Sequence, residues 1–263
     1  MARYISLYSG SSGNCSVVEE DGKFILIDMG KSARLTNKAL ADLGLDIKNL
    51  QGILVSHEHT DHTSGLKIFL KNLKVPLYTG AATLDYMQDR LLVPAHIEMQ
   101  DLSFTGADIG PFHVTGFETP HDSVGCLGFR IHTDKGSKMS IATDLGMVTD
   151  NIFENLSGVD LAVVESNYDV QMLKEGPYPY YLKTRIASNR GHLSNAQSSQ
   201  VTLRLIESGI DKIQLCHLSN NNNTPSLALG QVAATALANG IKIADHVQVK
   251  VNRRHEITDA TEF

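Results

Sequence analysis

The chain has 263 residues, 42% of them apolar and 20% charged, with 23 lysines and arginines against 29 aspartates and glutamates for a formal charge of -6. These are the proportions of a globular protein with a large core, and the acidic balance excludes one that coats nucleic acid by charge alone. Bound divalent cations would add positive charge that a residue count omits. No N-terminal apolar segment follows a basic region, and no run nears the ~18 apolar residues of a membrane span. The expectation is a cytosolic protein with no membrane partner, and the scattered Cys15, Cys126 and Cys216 read as reduced thiols.

In chain order, Tyr4 to Tyr8, Cys15 to Glu19 and Phe24 to Asp28 read as strands, the first two joined by the turn Ser9 to Asn14. Leu35, Ala39, Leu40 and Leu43 recur at helical spacing before the stop at Gly44. A strand Gly52 to Ser56 follows, then a helix through Leu66, Phe69, Leu70 and Leu73, a strand Val75 to Tyr78 and a helix Ala81 to Leu91. Strands are expected at Phe112 to Glu118, Leu127 to His132, Met139 to Thr143 and Leu161 to Glu165. Ser166 to Gly191, broken by Pro177 and Pro179, is too long for an idle loop and reads as functional or partly helical. Helix Asn195 to Ser208, strand Lys212 to His217, helix Ser226 to Asn239 and strand Val247 to Val251 complete the chain, with a polar tail. Without linker or low-complexity tract, residues 1–263 read as one α/β domain, and strand bursts separated by helices suggest two sheets face to face with helices outside.

The densest chemistry lies in Ser56-His57-Glu58-His59-Thr60-Asp61-His62, directly after an apolar run. In extended chain His57 and His59 point the same way and can reach one cation, whereas Asp61 and His62 fall at a strand-to-helix junction and point elsewhere. Two metals side by side is the natural reading. Further ligands are sought at other strand ends carrying His or Asp, which singles out His121, Asp144 and His217. His96, His113, His132, His246 and His255 lack that context.

The His-x-His-x-Asp-His pattern of His57, His59, Asp61 and His62 resembles the signature of the metallo-β-lactamase superfamily. Within it, Ser9 to Asn14, Thr143 to Gly146, Glu165 to Asp169, Gly191 to Asn195 and His217 to Ser219 with Asn221 and Asn222 are similar to the YycJ/WalJ group of bacterial exonucleases. Tyr168 departs from the group, which usually carries His there. The resemblance implies a four-layer αβ/βα sandwich, the metallo-β-lactamase fold, with a metal site at one edge of the sheets. It implies two divalent ions, Zn, Mn or Fe. His57, His59 and His121 would hold one, Asp61, His62 and His217 the other, and Asp144 would bridge them.

The implied activity is a phosphodiesterase, a 5′-to-3′ DNA exonuclease, using water activated between ions ~3.5 to 4 Å apart. Asp61 would orient that water or take its proton, and His192 would touch the scissile phosphate or protonate the leaving oxygen. Asp28 is expected to hold a ligand by hydrogen bonding. Ser12, Asn14, Asn167, Lys183, Arg185 and Asn195 are candidate contacts to a nucleic-acid substrate, DNA before RNA. Tyr178, Tyr180, Tyr181 and Arg190 lie near them in the chain, and the amides of the Ser9 to Asn14 turn are a further phosphate cradle. A thioester or lactone hydrolase and an RNA-processing nuclease stay open as alternatives. A redox di-iron centre is disfavoured, because iron sites in the superfamily usually have Glu where His59 stands.

Overall fold

In the computed structural model, which describes residues 1–243 and 247–263, the strands form two seven-stranded sheets. The first contains β1 (Arg3–Tyr8), β2 (Cys15–Glu20), β3 (Lys23–Ile27), β4 (Leu50–Leu54), β5 (Leu77–Thr79) and β6 (Met99–Asp101). The second contains β7 (Ala107–Ile109), β8 (Phe112–Glu118), β9 (Leu127–Thr133), β10 (Lys138–Ala142), β11 (Leu161–Glu165), β12 (Lys212–Cys216) and β13 (Gln248–Val251), and β14 (Thr261–Glu262) returns to the first. The orders are β14-β1-β2-β3-β4-β5-β6 and β13-β12-β11-β10-β9-β8-β7. Each sheet is part antiparallel and part parallel, with β3 to β6 parallel in the first and β10 to β13 in the second.

The strand alternation in the sequence divides side chains among three apolar layers. Ile5, Leu7, Val17, Leu26 and Ile53 face the helices α1 (Ala33–Asp42), α3 (Leu66–Phe69) and α4 (Ala81–Asp89), α2 being the short turn Thr60–Thr63. Their neighbours Tyr4, Val18, Ile25, Ile27 and Leu54 point the other way and meet Phe129, Ile131, Met139, Ile141 and Val163 of the second sheet. Ala142, Ala162, Val164, Ile213 and Leu215 line that sheet's outer face, under helices α5 (Asp150–Leu156), α8 (Asn195–Glu207) and α9 (Pro225–Ala238). Three apolar layers between four layers of elements make the αβ/βα sandwich.

The stretch Ser166 to Gly191 is partly helical, with α6 (Val170–Glu175) and α7 (Tyr180–Ile186). Two expectations need correction. The helix after the histidine-rich motif is one turn of α-helix and then a 3₁₀ turn, Leu70–Asn72, so the i, i+3 spacing there reflects burial more than helix length. The polar tail carries a strand absent from the sequence reading: β14 pairs with β1 and Phe263 is buried, a two-residue strand too short to leave a periodic signal.

The histidine-rich loop is held by backbone. Asn14 N–H donates to the Asp61 carbonyl at 2.8 Å, Gly30 N–H to the Asn14 carbonyl at 2.8 Å, Met29 N–H to the His62 carbonyl at 2.7 Å and Gly65 N–H to the Met29 carbonyl at 2.9 Å. The approach is close enough that a Cβ on Gly30 would lie 1.6 Å from the Asp61 oxygen. Gly30→Ala should therefore lower stability by at least roughly 1–3 kcal/mol, the cost of forced overpacking. Gly230→Ala, in α9 where a Cβ meets nothing within 4 Å among the described residues, should raise it by about 0.5–1 kcal/mol. Urea denaturation followed by circular dichroism measures both.

Candidate metal centre

The site collects at the carboxyl ends of strands, where open α/β sheets leave their crevices. Asp28 follows β3, Asp144 lies two residues beyond β10 and His217 follows β12, and all three adopt left-handed backbone, with φ of 60°, 57° and 55°. For residues other than glycine such a conformation costs roughly 1–3 kcal/mol each, and it persists where surrounding structure enforces it. Glu165 is the last residue of β11, His57 lies just beyond β4, and His121 follows β8.

Two groups of ligand atoms result. His57 Nε2 is 3.0 Å from His59 Nδ1, which is 3.4 Å from His121 Nε2. Asp61 Oδ2 is 3.5 Å from both His62 Nε2 and His217 Nε2. Asp144 stands between the groups, with Oδ1 3.6 Å from His121 Nε2 and Oδ2 3.3 Å from His62 Nε2. The ligand atoms of His57, His59 and His121 lie within 4.8 Å of one another, as do those of Asp61, His62 and His217. The residues fit divalent cations on two counts. The buried Nε2 of His217 has no hydrogen-bond partner among the described residues, and three imidazole nitrogens converge with few protons to share. Nitrogen and carboxylate donors suit Zn, Mn or Fe.

A ring of acceptors fixes the imidazoles. Asp28 accepts from His62 Nδ1 at 2.8 Å and from the amide and hydroxyl of Ser56 at 2.8 and 3.0 Å. The Gly191 carbonyl is 3.1 Å from His121 Nδ1. Glu165 serves both His217 and His192, whose Nδ1 atoms lie 2.8 Å from its Oε1, while its Oε2 accepts from the amides of Leu145 and Leu193 at 3.0 and 2.9 Å. Glu165 escapes a sequence search confined to His and Asp at strand ends, although it is a carboxylate at a strand end in the same sense.

Electrostatics divide the site. Burial and the neighbouring His62 hold His57 well below the usual imidazole range, and burial likewise lowers His121 against the pull of Asp144. Burial opposes charge on His62 and His217 too, but carboxylates prevail there. Asp28, Asp144 and Asp61 hold His62 well above its ordinary value, and Asp144, Asp61 and Glu165 push His217 up to about 10. Burial would raise Asp144, yet His217 and His62 keep it far below the usual carboxylate range.

Toward the cleft, His192 retains 17% side-chain exposure, and its ring centroid lies 5.1 Å from that of His121 and 5.2 Å from that of His217. Arg185 forms an ion pair with Asp122, and Arg190 donates from Nε and Nη2 to the His121 carbonyl. Asn14 sits at the centre, its Nδ2 3.1 Å from His62 Nε2, while Ser12 lies on the exposed turn beside Lys31. Lys183 donates to the Lys174 carbonyl.

Two substrate contacts expected from sequence are not available. Asn167 is buried and donates to the His217 carbonyl, and Asn195 is buried in an amide network with Ser166 and Asn223, so both bind backbone and neighbours. The phosphate cradle at Ser9 to Asn14 is likewise closed at three amides: Gly10 donates to Asn14 Oδ1, Gly13 to the Gly10 carbonyl and Asn14 to Asp61. His96, His113 and His132 make local hydrogen bonds, and His246 lies outside the described residues.

This fold and this donor set define a metal-dependent hydrolase carrying divalent ions. A model of the β-lactamase superfamily domain matches residues 23–208. The chain is 32% identical over 247 residues to exodeoxyribonuclease YycJ of Bacillus anthracis, covering 92% of each chain. It is 32% identical over 249 residues to exodeoxyribonuclease WalJ of Streptococcus pneumoniae, covering 91% of each. Among solved structures, the metallo-β-lactamase fold protein YhfI of Bacillus subtilis aligns with a TM-score of 0.73 at 16% identity, over 98% of this chain and 100% of that one. The chain belongs to the metallo-β-lactamase superfamily and, within it, to the family of YycJ and WalJ. Among the described residues no helix is long and apolar enough to cross a membrane.

Because Glu165 accepts from two imidazoles, Glu165→Gln should weaken divalent-ion binding about 10- to 100-fold, the usual cost of removing a partner behind a ligand. Competition with a chromophoric chelator measures the change.

Proposed function

We propose that this protein is a two-metal phosphodiesterase and acts as a 5′-to-3′ DNA exonuclease, through a single domain spanning residues 1–263. The observation that carries the reading is the position of Asp144, whose carboxylate lies beside both groups of ligand atoms, Oδ1 3.6 Å from His121 Nε2 and 3.4 Å from His217 Nδ1, and Oδ2 3.3 Å from His62 Nε2. His57, His59 and His121 would hold one ion, Asp61, His62 and His217 the second, and Asp144 both. When bound, such ions polarise a phosphoryl oxygen and acidify water. The choice of nucleic acid, and of DNA over RNA, is supported by relatives named as exodeoxyribonucleases. Three buried free thiols fit a cytosolic setting.

The chain's own groups then have distinct tasks. Asp61, with 21% side-chain exposure against 2% for Asp144, reaches the cleft and would orient the attacking water or take its proton. His192, anchored to Glu165 through Nδ1, has Nε2 left to donate a proton to the leaving oxygen. Arg190, fixed on the His121 carbonyl, adds positive charge beside the phosphate path. His59, in place of a carboxylate, favours hydrolysis over redox chemistry at iron.

Metal-reconstituted protein should degrade end-labelled DNA, tested single- and double-stranded beside RNA. Asp61→Ala and Asp144→Ala should each abolish cleavage while the chain stays folded; full activity in either, with metal content verified, would sink the assignment. His192→Ala should lower kcat about 10²- to 10⁴-fold, the range for a lost general acid, with metal content unchanged.

Metal uptake should also be pH-dependent. With folded values raised above the ordinary ~6.5, His62 and His217 stabilise the metal-free fold below that pH, and the contribution is lost as pH rises through about 10 for His217. Ligation needs both neutral, so uptake releases protons and affinity climbs with pH across this window. Calorimetry in buffers of differing ionisation enthalpy should record net proton release, and none would contradict the assigned ligands.

A further inference from the structure

Helices α6 and α7 enclose a second concavity that the chemistry above does not use. Tyr168, Leu173, Tyr180 and Thr184 wall a largely apolar cavity of about 620 Å³, and Lys174 and Lys183 contribute to its lining. That volume lies within the roughly 300–1,000 Å³ of small-ligand pockets. Its floor is closed, with Tyr168 and Leu173 at 5% and 4% exposure, whereas Tyr180 is 84% exposed. A large ring in water beside an apolar hollow is a surface that gains by being covered.

The cavity adjoins the reaction centre through the backbone. The Tyr168 carbonyl accepts from Asn195 N–H at 2.8 Å, and its N–H lies 3.4 Å from the Leu193 carbonyl, next to His192. At the other end, Gly191 N–H donates to the carbonyl of Ser188, a lining residue, and His192 N–H donates to that of Ile186, both at 2.9 Å. Charge selects the occupant. Residues 170–190 carry Lys174, Lys183, Arg185 and Arg190 against the single acid Glu175, in a chain whose net charge is -6. An apolar peptide would satisfy the walls and leave the lysines without anionic partners, whereas a nucleotide brings a flat apolar ring and a phosphate together.

We propose that this cavity is a nucleobase subsite. One base of a single-stranded substrate stacks on Tyr180 over the Tyr168 and Leu173 floor, and Lys174 and Lys183 meet its phosphate. The proposal rests on the nuclease reading and specifies where that substrate is gripped. Stacking is tolerant of base identity, so the subsite contributes affinity without a sequence preference.

The test is steady-state cleavage of an end-labelled single-stranded oligonucleotide, and of the same strand with abasic residues, by wild type, Tyr180→Ala and Tyr180→Phe. Tyr180 is exposed, so its truncation leaves the fold alone. Tyr180→Ala should raise KM for the base-bearing strand roughly tenfold, the size of one lost stack, with kcat within about twofold. Tyr180→Phe should match wild type. The abasic strand should start at the higher KM and not respond to Tyr180→Ala. An unchanged KM for the base-bearing strand, or an equal rise for both strands, would overturn the subsite while leaving the nuclease reading intact. A wild-type protein that cleaves neither strand, metal content verified, would overturn the nuclease reading and the subsite with it.

Discussion

Asp28, Asp144 and Glu165 are carboxylates whose side chains are at most 3% exposed, gathered at the edge of two apolar sheets. An ion taken out of water without a partner costs several kcal/mol, so each must be matched. His62 matches Asp28, His192 and His217 match Glu165, and four imidazoles surround Asp144. Much of the molecule serves this balance. The parallel strands deliver the groups from their carboxyl ends, three left-handed residues turn them inward, and the backbone contacts among Asn14, Met29, Gly30 and Asp61 hold the histidine-rich loop against them.

The balance is uneven across the site, and the unevenness has chemical meaning. Burial holds His57 and His121 below the usual imidazole range, which favours the neutral form that binds a cation. His62 and His217, set among carboxylates, are held above that range, which favours their charged form. Asp144 belongs to both halves. Glu165 links the buried candidate ligand His217 to the partly exposed His192, so one buried carboxylate aligns both.

Membership in the metallo-β-lactamase superfamily accounts for the scaffold and the hydrolytic class, which unrelated substrates share across that fold. What distinguishes substrates must lie in the connections around the site. One such connection runs from Ser166 to Gly191, and its helices α6 and α7 carry basic and aromatic side chains on an otherwise acidic protein. Tyr180 and Tyr181 in it are exposed, and backbone hydrogen bonds tie its end to the segment holding His192.

The sequence by itself determined the local matters. Strand bursts separated by helices implied two sheets face to face with helices outside, and in the structure Tyr4, Val18 and Ile25 face the other sheet while Ile5, Val17 and Leu26 face helices. The spacing of His57, His59, Asp61 and His62 placed a dense ligand set at a strand end, because residue type and pitch are properties of a short segment. Only the tertiary structure decided which strand ends meet, and therefore that His121, Asp144, Glu165 and His217 converge on that segment from positions up to 160 residues further along the chain. It also decided which polar groups are already engaged. Asn167 and Asn195 look available in sequence, but long-range packing turns them inward, Asn167 onto the His217 carbonyl and Asn195 onto the side chains of Ser166 and Asn223. A hydrogen-bonding group's availability depends on partners remote in the chain, and no local pattern encodes those.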